Sequence, residues 1–376
     1  MKEGTNSSRI CQVPELRREP EEGVCAIKLF SDGREVSHLY VHDLKVQVGG
    51  ATVRAGGIGG VWTHEEYRRR GFARRVLEDA LDYMREEGHD LSLLFGIPDF
   101  YHRFGYASAL PECSLSLLEK DLPKDISDFR KYAEGDRNAV LDIYKENNRL
   151  RTGSVVRRPD TWRGFVRGTS WYVDPEVWVL KGGRGYLVFD ATEEHTAVAE
   201  VGYSSPEAFP WLAAGVGERA RRHGHGEVKL EMPPDHPFAI FLRRYGCRTL
   251  QVFPRNGGGM ARIVNLEALF SKLSGELSRR LRTSHMADWE GAISIRTEEG
   301  SVGIRAEGGG VEVGPTQPGA PEVVLPQARL IQLLFGYRAA WDVASEEGVF
   351  LPPEFLPVAE ALFPQGYPYM WWSDRF

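Results

Sequence analysis

Arg68, Arg69 and Arg74 stand around one glycine in the run Arg68-Arg69-Arg70-Gly71-Phe72-Ala73-Arg74. Guanidiniums at this spacing can hold a phosphate by charge-assisted hydrogen bonds, and Gly71 lets the backbone approach it closely. The flanking residues indicate what must position them. Val53 to Thr63 is apolar and glycine-rich, with β-branched and aromatic residues, so it reads as a buried strand with close backbone approach. His64 to Tyr67 is a short polar connection. Beyond the loop, apolar residues recur at Ala73, Val76, Leu77, Ala80, Leu81 and Met84, the spacing of a helix with one buried face. Strand, basic turn and helix N-terminus together make an anion site, because the free N–H groups of the first turn point outward and the helix dipole favours negative charge. Adjacent arginines alone more often form a solvated face. Gly56-Gly57-Ile58-Gly59-Gly60 opens no helix and no Gly-Lys-Ser/Thr follows, which argues against a Rossmann or P-loop nucleotide site.

The chain has 376 residues, enough for two or three domains. It is 42% hydrophobic and 27% charged, an ordinary globular composition. The net charge of -6 argues against broad nucleic-acid binding. No apolar run approaches the roughly 20 residues of a membrane span, and the first residues hold no apolar signal region, so a cytoplasmic protein is expected. Cys11, Cys25, Cys113 and Cys247 are scattered with no C-x-x-C, and read as reduced residues with no metal site.

Three segments are expected: 1–125, 126–258 and 259–376. In the first, residues 1 to about 22 are polar and read as loosely held. Strands are expected at Val24 to Phe30, Val36 to Val48, Val53 to Thr63 and Leu91 to Phe95, with Cys113 to Leu118 as the closing strand. In the second, Gly135 to Arg149 reads as a helix, followed by strands at Glu176 to Leu180, Gly185 to Asp190 and Thr196 to Tyr203. A helix from Glu207 to Arg222 and a strand from Glu227 to Met232 complete it. That order repeats the first segment. Aligning Phe104-Gly105 with Tyr245-Gly246 puts Tyr101 over Leu242, and Ser204-Ser205-Pro206-Glu207 stands where the first copy has its arginines. In the third, Asn265 is placed to cap a helix over Leu266 to Leu273. Short strands follow around Ala292 to Arg296, Val302 to Arg305 and Val311 to Val313, then helices over Gln327 to Trp341 and Pro353 to Leu362.

Arg-Arg-x-Gly-x-Ala after a strand ending Gly60-Val61-Trp62-Thr63 resembles the acetyl-coenzyme A loop of the GNAT N-acetyltransferases. The resemblance implies an α+β chain with two GNAT-like domains. The first is shortened at its N-terminus, since about 22 residues replace the usual strand and two helices, and the second lacks the phosphate loop. The third segment resembles a sterol-carrier-like α+β domain, either a lipid site or a packing platform; the enzyme context favours the platform. The three together resemble the enhanced intracellular survival (Eis) acetyltransferase family, whose members acetylate amines of aminoglycosides and some acetylate lysines. Several are hexamers, so a homo-oligomer is expected.

The resemblance assigns the parts. Acetyl-coenzyme A is the cosubstrate. Backbone groups at Gly60, Val61, Trp62 and Thr63 bind its pantetheine and supply oxyanion donors. Arg68, Arg69, Gly71, Phe72, Ala73 and Arg74 hold its pyrophosphate. Tyr101, in Phe100-Tyr101-His102-Arg103-Phe104-Gly105-Tyr106, is the general acid. A tyrosine there can equally be core packing, and the doublet leaves Tyr106 as an alternative. His64, His102 and Glu65 are further proton carriers by type. The carboxylate of the final residue, Phe376, is the general base. Arg375 precedes it and would repel a polycationic acceptor unless it turns away. The acceptor is a small-molecule amine or a lysine side chain: aminoglycoside-like, polyamine or peptide. The competing class is a non-catalytic lipid- or acyl-binding protein built on the third segment.

Overall fold

The computed structural model describes residues 13–124, 128–169, 171, 174–190 and 194–376. In chain order the first segment forms β1 (Glu15–Glu21), β2 (Val24–Ser31), β3 (Arg34–Val48), β4 (Ala51–Thr63), α1 (Phe72–Glu86), β5 (Leu91–Gly96), β6 (Ala107–Leu110) and β7 (Glu112–Leu118). The second forms β8 (Phe129–Lys131), α2 (Arg137–Asn148), β9 (Glu176–Leu180), β10 (Gly185–Asp190), β11 (Thr196–Tyr203), α3 (Phe209–His223), β12 (Glu227–Leu230), α4 (Pro237–Leu242), β13 (Arg248–Val252) and β14 (Gly258–Ile263).

Two seven-stranded sheets result, ordered β1-β2-β3-β4-β5-β14-β6 and β8-β9-β10-β11-β12-β7-β13. They have one topology. In each, antiparallel hairpins lead to a parallel pair, β4 with β5 and β11 with β12, joined by a helix. In each, the next strand is borrowed: β14 enters the first sheet and β7 enters the second. Cys113 to Leu118 is therefore a strand, but it pairs with β12 and β13 rather than closing the first sheet. The boundaries expected at 125 and 258 do not divide the sheets, since β7 pairs in the second and β14 in the first. Burial on both faces explains the exchange: Leu115 and Leu117 are buried in the second core, whereas Met260 and Ala261 are buried in the first sheet.

The expectation of a loose start is corrected for Glu15–Glu21. This stretch pairs with β2 along its whole length, and Arg18 forms an ion pair with Asp79 of α1 at 2.9 Å. Cys11 and the rest of 1–12 lie outside the described residues. Helix α1 buries Val76, Leu77, Ala80, Leu81 and Met84 against the first sheet, each large side chain contributing about 1.5–3 kcal/mol.

The third segment forms α5 (Leu266–Arg282), β15 (Gly291–Thr297), β16 (Gly300–Glu307), β17 (Gly310–Gly314), β18 (Glu322–Val324), α6 (Gln327–Phe335), α7 (Ala340–Ala344) and α8 (Leu356–Leu362). Asn265 caps α5 by accepting from the Ala268 N–H at 3.1 Å. The helix expected over Gln327 to Trp341 is broken, because Gly336 adopts φ +71 and ends α6. The four-stranded sheet β17-β16-β15-β18 shares one apolar core with parts of β3, β4, β5, β6 and β14. An apolar cavity between Ile295, Leu330 and Phe363 has a volume of about 20 Å³, room for roughly one water. Among the described residues no helix is long and apolar enough to cross a membrane, and no cluster of His, Cys, Asp or Glu could hold a metal.

Candidate functional site

The parallel pair β4–β5 opens a gap. Its ladder runs from Ala55–Leu91 to Ile58–Leu94, and β4 then continues to Thr63 with no strand among the described residues on that edge. Backbone groups there can take an extended ligand, although the Trp62 carbonyl accepts from Ser37 Oγ and the Thr63 carbonyl from Arg68. Between His38–Trp62 and Tyr40–Gly59 the β3–β4 register shifts, and Gly60 takes φ +58. This is a bulge with glycine in the left-handed region, which bends the strand and re-aims its groups. Val61 packs toward the α1 side of the sheet. Trp62 is 40% exposed and stacks on His38 at 5.1 Å. The Thr63 hydroxyl meets that of Ser37 at 2.8 Å.

The loop leads from this strand into α1. Gly71, at φ +81, stands before Phe72, and no side chain caps the helix. The first turn has no acidic residue either, so the N–H groups of Phe72, Ala73 and Arg74 face outward unanswered. The arginines are loosely held. Arg68 donates to the Thr63 carbonyl at 3.4 Å, and Arg74 pairs with Glu78 at 3.5 Å while lying 5.3 Å over the Phe104 ring. Arg69 makes no side-chain hydrogen bond or ion pair among the described residues and is exposed. Phe72 stacks on Tyr67. This is an uncapped, cationic helix start at the end of an open strand edge.

Tyr101 and Tyr106 differ in commitment. Tyr101 opens a 3-10 turn, Tyr101–Phe104, and its ring lies against Gly96 at the end of β5, where any Cβ would collide with it. Its hydroxyl makes no hydrogen bond among the described residues. Burial raises its phenol above the ordinary value, which keeps the proton on at neutral pH. Tyr106 is buried, and its hydroxyl bonds Ser92 Oγ at 2.7 Å. His64 bonds Arg34 at 2.7 Å, Glu65 is exposed at the loop, and His102 flanks Tyr101.

Phe376 packs against the same strand, β4. The carbonyl carbon of Phe376 lies 3.2 Å from the point a Gly59 Cβ would occupy, and its ring lies 2.7 Å from that of Gly57. The glycines of β4 thus make room for the last residue. The Phe376 ring also meets Phe95 of β5. Arg375 does turn away: it donates to both oxygens of Glu112, at 3.0 and 2.8 Å, with its side chain only 4% exposed.

Periodicity and motif gave no sign of two further groups. His42 of β3 has Nε2 3.2 Å from the same Gly59 Cβ point, so the imidazole and the Phe376 backbone carbonyl carbon share one wall. Burial lowers its pKa, and Arg163 and Arg167 lower it further, so it is neutral. The second group is a buried cluster around Arg157, with Glu200, Asp374, Tyr144 and Tyr186. Its members lie up to 230 residues apart in sequence. Only the even phase of His38, Tyr40 and His42 along one strand could have pointed to the histidine.

Residues 10–109 match the family described as acetyltransferase (GNAT) domain. No curated protein matches the chain. Solved structures share the fold over nearly the whole length. A probable N-acyltransferase of Enterococcus faecalis is 18% identical, covering 94% of this chain and 90% of that one, with a TM-score of 0.77. A GCN5-related N-acetyltransferase of Anabaena variabilis is 16% identical over 93% and 89%, with a TM-score of 0.74. Eis1 of Mycobacterium abscessus is 17% identical over 93% and 90%, with a TM-score of 0.67. The matched span contains the open strand β4, the arginine loop and Tyr101; this protein carries a GNAT acetyltransferase domain and is an enzyme of that class.

Proposed function

We propose that the protein transfers an acetyl group from acetyl-coenzyme A to a primary amine, in the manner of the Eis acetyltransferases. One observation carries the reading: Phe376 lies against Gly57 and Gly59 of β4 where that strand parts from β5, Tyr101 lies against Gly96 at the end of β5, and α1 starts uncapped beyond the arginine loop. The pantetheine would run along Gly60 to Thr63, and the pyrophosphate would sit on Gly71, Phe72 and Ala73 with Arg68, Arg69 and Arg74 around it. That cosubstrate supplies the thioester.

The chain's own groups then divide the work. The Phe376 carboxylate takes a proton from the attacking amine. Backbone N–H groups of β4 hold the carbonyl oxygen as charge develops on it. As the carbon–sulfur bond breaks, the Tyr101 hydroxyl gives its proton to the sulfur. Neutral His42 stands beside the carboxylate and can pass the amine proton onward. The Glu112 pair offsets the Arg375 charge, which leaves aminoglycoside, polyamine and lysine acceptors open. A packing role for the third unit is supported by its shared core and its small cavity. A thiol-release assay with acetyl-coenzyme A over aminoglycosides, polyamines and lysine peptides tests the reading. Release with none of them, together with no calorimetric binding of acetyl-coenzyme A, sinks it.

A further inference from the structure

The second sheet has the same gap as the first, and the chain fills it with its own tail. The β11–β12 ladder ends at Val198–Leu230, as the β4–β5 ladder ends at Ile58–Leu94. Two residues further along, β4 has the bulged Gly60 and β11 has Glu200, which is fully buried. The tail packs beside it. Tyr369 and Trp371 join the core of the second sheet. The Tyr369 hydroxyl donates to the Glu231 carbonyl just beyond β12 at 2.8 Å, and the Trp371 indole donates to Asn148 at 2.8 Å.

At the bottom of this gap lies Arg157. Its Nη1 and Nη2 donate to the two oxygens of Glu200 at 2.8 and 2.5 Å, and its Nε and Nη2 to those of Asp374 at 2.7 and 3.0 Å. Tyr144 donates to Asp374 at 2.8 Å and Tyr186 to Glu200 at 2.6 Å. The Tyr144 ring lies 3.7 Å from the guanidinium. The Arg157, Glu200 and Asp374 side chains are 1%, 0% and 4% exposed.

We propose that Arg157 is a positioning residue for the reaction of the first unit, holding Asp374 so that the carboxylate of Phe376 lies against Gly59. The proposal rests on the reading of Phe376 as the base. A buried ion pair is a poor source of stability, since desolvation offsets its attraction, and its best-attested use is to fix one geometry. A planar fork bridging two carboxylates fixes direction as well as distance, which a lysine cannot do. Asp374 is pinned to the second sheet by this fork. The next residue, Arg375, is pinned to Glu112 of β7. With consecutive residues held on two strands, the last residue has little freedom left. The second unit keeps the fold of an acetyltransferase domain and uses its gap to aim a group at the gap of the first.

The test uses the full chain ending at Phe376, with Asp374→Asn and Arg157→Lys. Asp374→Asn leaves the Arg157–Glu200 pair whole, so it folds even where Arg157→Lys does not. Carboxypeptidase A releases a terminal phenylalanine only from a tail that leaves its site. Both variants are expected to release Phe376 about tenfold faster than the parent, as local opening becomes easier. With an accepted amine, kcat is expected to fall about 10²-fold, the usual cost of displacing a reacting group by an ångström. The KM for acetyl-coenzyme A is expected to stay put, a split that general destabilisation does not produce. Phe376 release unchanged in both variants overturns the clamp. Faster release with unchanged kcat keeps the clamp and removes Phe376 from the chemistry, so the two readings fail separately.

Discussion

The two sheets carry the same strands in the same order and do opposite things with the gap between their parallel pair. In the first, glycines line the strand and arginines stand around the start of its helix. In the second, Pro206 opens a short turn ahead of α3, Leu242 stands where the first copy has Tyr101, and tyrosine, tryptophan and a charged cluster close the space. The lesson is that the topology supplies an opening and the side chains decide whether a ligand or the chain itself enters it. Free N–H groups and loosely paired cations invite an anion; bulky aromatics and a satisfied ion cluster exclude one.

The largest test extends the chain. One or two residues added after Phe376 turn its carboxylate into an amide and move the charge away. With general-base help worth about 10²–10⁴-fold, turnover of an accepted amine should fall by that factor. Acetyl-coenzyme A binding by calorimetry should not change. Turnover at the parental rate would mean that the tail only packs, making both gaps structural at that end.

The next lies in the second unit. His236 is buried edge-on to Trp371, and burial, with Arg151 nearby, lowers its pKa to about 3. It is neutral in the fold, whereas an unfolded chain binds a proton below about pH 6.5. Stability is therefore full above that pH and declines as the pH falls from about 6.5 to about 3, by on the order of 4 kcal/mol. His236→Phe should flatten this slope in denaturant titrations between pH 7 and pH 4. An equal slope in parent and variant would show that another group governs acid loss.

Tyr101→Phe should lower kcat by about 10²-fold with little change in cofactor affinity. Tyr106→Phe should leave the rate nearly untouched and cost about 1 kcal/mol of stability through its lost bond to Ser92. The reverse pattern would exchange their roles. The smallest effects belong to the loop. Arg69→Ala and Arg74→Ala each remove a hydrogen bond worth about 1.5–3 kcal/mol if made to phosphate, read as weaker acetyl-coenzyme A binding with unchanged melting. Ser205→Ala, at the matching place in the second unit, should change nothing; a loss of affinity there would break the contrast between the gaps.

The sequence alone determined what local rules control. Apolar spacing at Val76, Leu77, Ala80, Leu81 and Met84 set the helix and its buried face, and β-branched runs set most strands of both sheets. Gly71 after three arginines set the basic left-handed turn into the helix, because the conformation and the charge both belong to adjacent residues. The similar turns in the two copies were legible because Gly105 and Gly246 each close a short 3-10 turn at positive φ. The tertiary structure decided the rest, since it depends on residues brought together across the chain. The exchange of β7 and β14 has no local signal: a buried strand pairs as readily with one sheet as with the other, and only the two assembled cores select its place. Periodicity likewise could not find Arg157, Glu200 and Asp374, or His42 beside Phe376, whose partners are separated by whole domains. The direction of Arg375 depended on Glu112, 263 residues away, because a buried guanidinium goes to the carboxylate that can satisfy it.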